Sequence, residues 1–156
     1  MLTSAMCKCH CRYLLAIDPG LATGVCLIDL IYPDTPVVVW SDEVSVDQFY
    51  DKIAQLIAEP STHVVIEDFK ITVETGKLSD APWSLNLIGI VQYLCYLNGK
   101  VLDFQSPSQK PFADNDKLRA VDFWHVGGEG HANDALRHAM IWIVENNRKW
   151  TRKLLL

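Results

Sequence analysis

Apolar residues run almost unbroken through YLLAID (13–18), the mark of a strand buried on both faces. PGLATG turns the chain, and VCLIDLI (25–31) reads as a second strand. IYPDTP turns it again, and VVVW (37–40) begins a third. Connections this short join antiparallel neighbours, so the three strands form a meander. Over 45–60 the period changes: Phe49, Ile53, Leu56 and Ile57 recur at helical spacing and Pro60 closes the run. HVVIEDF (63–69) is another apolar strand, and 70–81 is a polar loop containing Gly76. The stretch 82–99 reads as a long helix with Pro82 near its start and Gly99 past its end. KVLDF (100–104) is a fifth strand, SPSQKPFADN a loop and DKLRAVDFW (116–124) a short helix. VGGEG is a flexible loop before the final helix, HANDALRHAMIWIVENN (131–147).

Strands linked through helices pair in parallel by right-handed crossovers. The expected class is therefore α/β: a mixed five-stranded sheet, three strands antiparallel and two parallel, with helices on both faces. A flexible lead (1–12) precedes the domain (13–147), and a basic tail (148–156) follows it. The chain has no internal repeat and no low-complexity segment.

Composition narrows the class. The chain has 156 residues, 49% apolar and 21% charged, enough for one domain with a sizeable core. No apolar run reaches the ~18 residues of a membrane span. The start, MLTSAMCKCHCR, lacks the apolar stretch of a secretory signal, which points to the cytoplasm. A net charge of −5 argues against a generic basic coat for nucleic acid. It is compatible with a nuclease, because a carboxylate cluster for divalent cations lowers the charge while local basic patches still bind phosphate. In the tail, Arg148, Lys149, Arg152 and Lys153 either contact phosphates or decorate a solvated helix end. The cysteine count of five is odd, which suits reduced thiols. Cys7, Cys9, His10 and Cys11 lie in CKCHC, whose spacing departs from that of zinc sites, so a metal site and a frayed terminus both remain open.

Candidate chemistry gathers at strand ends. Asp18 ends the first strand and Glu67 ends the fourth. If these strands are parallel neighbours, both carboxylates reach the crevice where open α/β sheets place ligands. Each alone could equally be a turn or cap residue. On the final helix His131, Asp134 and His138 share one face, beside an apolar stripe of Ala132, Ala135, Leu136, Ala139 and Ile143. Packing that stripe on the sheet brings His131 and Asp134 to the strand ends; a solvated first turn is the alternative. Together the groups make an oxygen-rich site with one imidazole, suited to Mg2+ or Mn2+. Two such ions ~4 Å apart can activate water against a phosphodiester.

LAIDPGLATG, VVIED and GHANDALRHA resemble, in order and spacing, the three motifs of RuvC-like Holliday junction resolvases of the ribonuclease H-like superfamily, especially the small phage-encoded branch. The resemblance covers about residues 13–145. It implies a ribonuclease H-like fold, two Mg2+ ions (Mn2+ substituting), and Asp18, Glu67, His131 and Asp134 as catalytic metal ligands. It implies that Lys110 and Lys117, in SPSQK and ADNDK, contact DNA, although the loop between them is shorter than in bacterial resolvases and surface lysines are the alternative. His138 is a further candidate, supporting the site or contacting phosphate. The implied protein is a homodimer paired through helix 83–97, with Ile90 and Tyr93 at the interface or in the core, cutting four-way DNA junctions in the cytoplasm, of a bacterial host if phage-encoded. Three rivals remain. One is a related nuclease for RNA–DNA hybrids or flaps, and one a non-catalytic nucleic-acid or protein-binding module. The last is an actin-like or sugar-kinase ATPase, suggested by DPGLATG but needing a longer chain.

Overall fold

Alternation along each strand decides which layer a side chain joins, and here it builds two cores on one sheet. The computed structural model describes residues 11–32, 35–69 and 83–146. Its strands are β1 (Tyr13–Asp18), β2 (Ala22–Asp29), β3 (Val37–Ser45), β4 (Thr62–Glu67) and β5 (Leu102–Gln105). They lie in the order β3-β2-β1-β4-β5. The pairs β1–β2 and β2–β3 are antiparallel, and β1–β4 and β4–β5 are parallel, as expected. The helices are α1 (Val46–Ala58), α2 (Trp83–Leu97), α3 (Asn115–Ala120) and α4 (His131–Asn146), with a 3-10 helix at Pro107–Phe112.

Leu15, Ile17, Val64 and Ile66 point to one face and pack with Phe49, Ile53 and Ile57 of α1 and Leu87 and Val91 of α2. Leu14, Ala16, Cys26, Ile28 and Val65 point to the other and pack with Ala135, Leu136, Ala139 and Ile143 of α4. Each fully buried Leu or Ile contributes ~1.5–3 kcal/mol. The small residues along α4 let it lie close to the sheet, and that closeness positions the site.

Some boundaries differ from expectation. β2 begins at Ala22, so the first turn is shorter and Gly24 pairs with Asp18. The expected loop at 106–115 contains the 3-10 helix, whose signal is SPSQ: Pro107 opens it, and the Gln109 side chain accepts the Ser106 N–H at 3.0 Å. The helix expected over 116–124 ends at Ala120. Asp122 takes a left-handed conformation (φ 59°) and the Phe123 N–H returns to the Leu118 carbonyl at 2.8 Å, a helix-ending turn usually made by glycine. That turn swings Phe123 into the core.

On α2, Ile90 packs partly against the core, whereas Tyr93 and Tyr96 are 61% and 81% exposed. Among the described residues no helix is long and apolar enough to cross a membrane. CKCHC apart from Cys11, the loop at 70–81 and the tail at 148–156 lie outside the described residues.

Candidate metal centre

One row of residues crosses the whole sheet beneath α4. Gln105 pairs with Glu67, Asp18 with Gly24, and Gly24 with Glu43. Asp18 and Glu67 follow the last paired residues, Ile17 and Ile66, of neighbouring parallel strands. Paired residues share a face, so Gln105, Glu67, Asp18, Gly24 and Glu43 all point toward α4.

Gly24 sets how near the helix comes. A Cβ there would stand 1.8 Å from the His131 carbonyl oxygen, so the first turn of α4 rests directly on β2 backbone. His131 then lies with Nδ1 3.4 Å from Asp18 Oδ2, and Asp134 projects to the same centre one turn on.

The centre is organised around one positive charge. Lys110, from the 3-10 helix, places Nζ 2.9 Å from Asp18 Oδ1, 2.6 Å from Glu67 Oε2 and 2.9 Å from Asp134 Oδ2. Burial disfavours its ammonium, but the three carboxylates overcome that and hold Lys110 above the usual lysine range. Burial raises the Asp18 carboxyl; the nearby Glu67 and Asp134 charges add to this, and Lys110 only partly offsets it. Burial also acts on Glu67, but hydrogen bonds from His138 and Lys110 prevail and lower it. The two carboxylates shift in opposite directions because Asp18 is the more deeply buried and faces two like charges, whereas Glu67 accepts from both Lys110 and His138.

That donor is His138, fully buried with Nε2 2.8 Å from Glu67 Oε2. The Gln105 amide nitrogen donates to His138 Nδ1 (2.8 Å) and to the His138 carbonyl (3.1 Å), while its oxygen accepts from Trp142 N–H (3.2 Å). Nδ1 is therefore the acceptor and Nε2–H the donor, which orients Glu67. Burial removes His138 from the phosphate-contact role left open by the sequence. Ligand atoms of Asp18, Glu67 and His138 lie within 4.8 Å of one another.

Asp134 is held on its other oxygen by Arg137, whose guanidinium also reaches the Asn115 side chain and the Ala113 carbonyl, the last at 3.1 Å. Arg137 thereby ties α4 to the segment carrying Lys110. At the far end of the row, Glu43 accepts from backbone N–H groups of Glu129 (2.8 Å), Gly130 (2.7 Å) and Ala132 (3.4 Å). Lys117 does not join the centre: its Nζ lies 2.6 Å from the Phe112 carbonyl and 3.2 Å from Asp114. Asp18, Glu67, Asp134 and Lys110 converge, and His131 borders them with its side chain 38% exposed.

The donor set fits a hard divalent cation. Three carboxylate oxygens from separate elements surround one cationic point, with His131 beside Asp18.

No protein-family model matches the chain, and no curated protein matches its sequence. Solved structures do match. RuvC of T. thermophilus in complex with Holliday junction substrate aligns over 91% of this chain and 96% of its own, with 15% identity and a TM-score of 0.61. The fold is that of the RuvC-like resolvases. Fowlpox virus resolvase, solved with substrate Holliday junction DNA, aligns over 85% of this chain and 99% of its own, with 8% identity and a TM-score of 0.61. The yeast mitochondrial Holliday junction resolvase aligns over 92% and 80%, with 15% identity and a TM-score of 0.54. This RuvC-like fold is carried by topology and burial rather than by shared sequence.

Gln105, Arg137 and Glu43 were not apparent as site residues in the sequence. Gln105 sits one position beyond the expected strand, Arg137 reads as an exposed helix residue, and Glu43 is one acidic residue on an outer strand.

Proposed function

We propose that the chain is a metal-dependent endonuclease that resolves four-way DNA junctions. The observation carrying this reading is the convergence of Asp18, Glu67 and Asp134 on one cationic point at the ends of neighbouring strands in a RuvC-like fold. Junction DNA as the substrate is drawn from the solved neighbours, two of which hold it.

In this reading Asp18, Glu67, Asp134 and His131 hold Mg2+ or Mn2+, two ions per site. Bound ions would activate water and neutralise charge developing on the phosphodiester. The chain's own residues prepare the place. His138 orients Glu67, Arg137 occupies one Asp134 oxygen and leaves the other facing the centre, and Lys110 neutralises the cluster. Lys110 Nζ now holds the point between the three carboxylates, so its ammonium would give way to a bound cation and would then be available to a phosphate. Homodimerisation through α2 belongs to this reading: Tyr93, Tyr96 and Leu97 leave an apolar surface exposed, and two opposed active sites suit a symmetric junction. So do DNA contact by Lys117 and a cytoplasmic setting.

The test is cleavage of labelled four-way junction, linear duplex and RNA–DNA hybrid, with Mg2+ and with EDTA. Mg2+-dependent junction cleavage, lost in Asp18→Asn, is expected. Cleavage of hybrid alone would overturn the junction assignment, and cleavage unaffected by Asp18→Asn would overturn the site.

A further inference from the structure

We propose that Glu43 on β3 is a positioning residue for the metal centre: its carboxylate, seated in the backbone N–H groups at the start of α4, fixes where His131 and Asp134 stand. The inference rests on the metal site proposed above.

Three observations carry it. First, Glu43 uses both oxygens on this segment. Oε2 takes the Glu129 N–H and Oε1 takes those of Gly130 and Ala132. The first helical hydrogen bond of α4 runs from Asp134 N–H to the Gly130 carbonyl at 3.0 Å, so these donors lie at and just before the first turn and have no partner within the helix. A carboxylate supplies both the acceptors and the charge that a helix start favours.

Second, the segment is shaped around that carboxylate. Gly127, Gly128 and Gly130 all adopt positive φ (107°, 66° and 107°), which turns successive N–H groups inward. A Cβ on Gly128 would stand 2.5 Å from Glu43 Cδ. The run VGGEGH is thus a cradle for one acidic side chain of the same protein.

Third, Glu43 is in the row that holds the centre. It pairs with Gly24, Gly24 pairs with Asp18, and the His131 backbone lies over Gly24. The helix is fixed at one end of this row by Glu43 and at the other by His138 on Glu67 and Gln105. Releasing the first end frees the turn bearing His131 and Asp134, while the apolar face of α4 stays packed.

The experiment is a calorimetric titration of the full chain with MnCl2, without DNA. Glu43→Ala is expected to weaken Mn2+ binding by about tenfold or more, the loss typical when a residue orienting a ligand is removed. Glu43→Gln keeps one carbonyl oxygen for Gly130 and Ala132 and is expected to fall between Ala and wild type, which keeps the test open if the Ala variant does not fold. Ile53→Val, on the opposite core, serves as a stability control and should leave Mn2+ affinity unchanged. In a His131→Ala background the further loss from Glu43→Ala should be smaller, because part of its effect passes through His131. Wild-type affinity in folded Glu43→Ala, or an equal loss in Ile53→Val, would overturn the inference alone. Absence of Mn2+ binding by the wild type would overturn the proposed metal site and this inference with it.

Discussion

Two carboxylate environments on the same face of the sheet are satisfied in opposite ways. Glu43 is bound by backbone N–H groups, which cannot leave without unwinding the start of α4. Asp18, Glu67 and Asp134 share the Lys110 ammonium, which sits on a flexible side chain and, in the proposed function, gives way to a metal ion. One environment locks a helix in place; the other keeps charge available. The difference separates the residues that build the centre from those that would use it.

The largest expected effect comes from removing charge among the carboxylates that share Lys110. Asp18→Asn should lower junction cleavage to less than about one-thousandth of wild type, more than ~4 kcal/mol of transition-state stabilisation, with circular dichroism unchanged. Near-normal cleavage would place the chemistry elsewhere.

Gly24→Ala attacks the geometry that joins the two environments. Its methyl group must displace the His131 backbone. Overpacking of this kind costs ~1–3 kcal/mol, and Mn2+ affinity should fall with the melting temperature. Unchanged affinity would mean that the position of the first turn of α4 does not matter to the site.

Lys110→Gln separates the environments. Without the ammonium, the clustered carboxylates repel one another in the metal-free protein. A lower melting temperature in EDTA, by roughly 3–8 °C for ~1–2 kcal/mol, is expected, with Mn2+ restoring more stability than in wild type. DNA-free Mn2+ affinity should rise, whereas junction cleavage should fall. Equal Mn2+ affinity in the two proteins would show that Lys110 and the ion do not compete.

The smallest effect concerns acid stability. Burial alone would raise the Glu43 carboxyl, but the N–H groups around it outweigh burial and lower it. A folded value below the unfolded one means that this stabilisation is fully present above the unfolded glutamate range. It is lost as pH falls through the lower folded value. Melting temperatures followed downward from pH 6 should therefore drop less steeply in Glu43→Gln than in wild type; parallel curves would contradict this.

The sheet was legible because YLLAI (13–17) and VVI (64–66) are unbroken apolar runs, and runs buried on both faces leave few alternatives. Asp18, Glu67 and Asp134 were legible because each ends a run or repeats at helical spacing. Lys110 was named, but as a DNA contact; nothing local signals that a residue after β5 folds back between three carboxylates. Gln105, Arg137 and Glu43 act through pairings 33, 3 and 87 residues apart, and only the first turn of α4 or the assembled row reveals their roles. His138 was visible as a helix-face neighbour of Asp134, but its complete burial, which decides its role, depends on how closely α4 approaches the sheet.

In the proposed function, the point now held by Lys110 is the cation site of a nuclease. A crystal grown with MnCl2 and measured for anomalous scattering tests it most directly. Mn2+ bound by Asp18, Glu67 and Asp134 is expected, with the Lys110 ammonium moved away. Lys110 still bridging the three carboxylates at saturating MnCl2, with no anomalous peak among them, would contradict it.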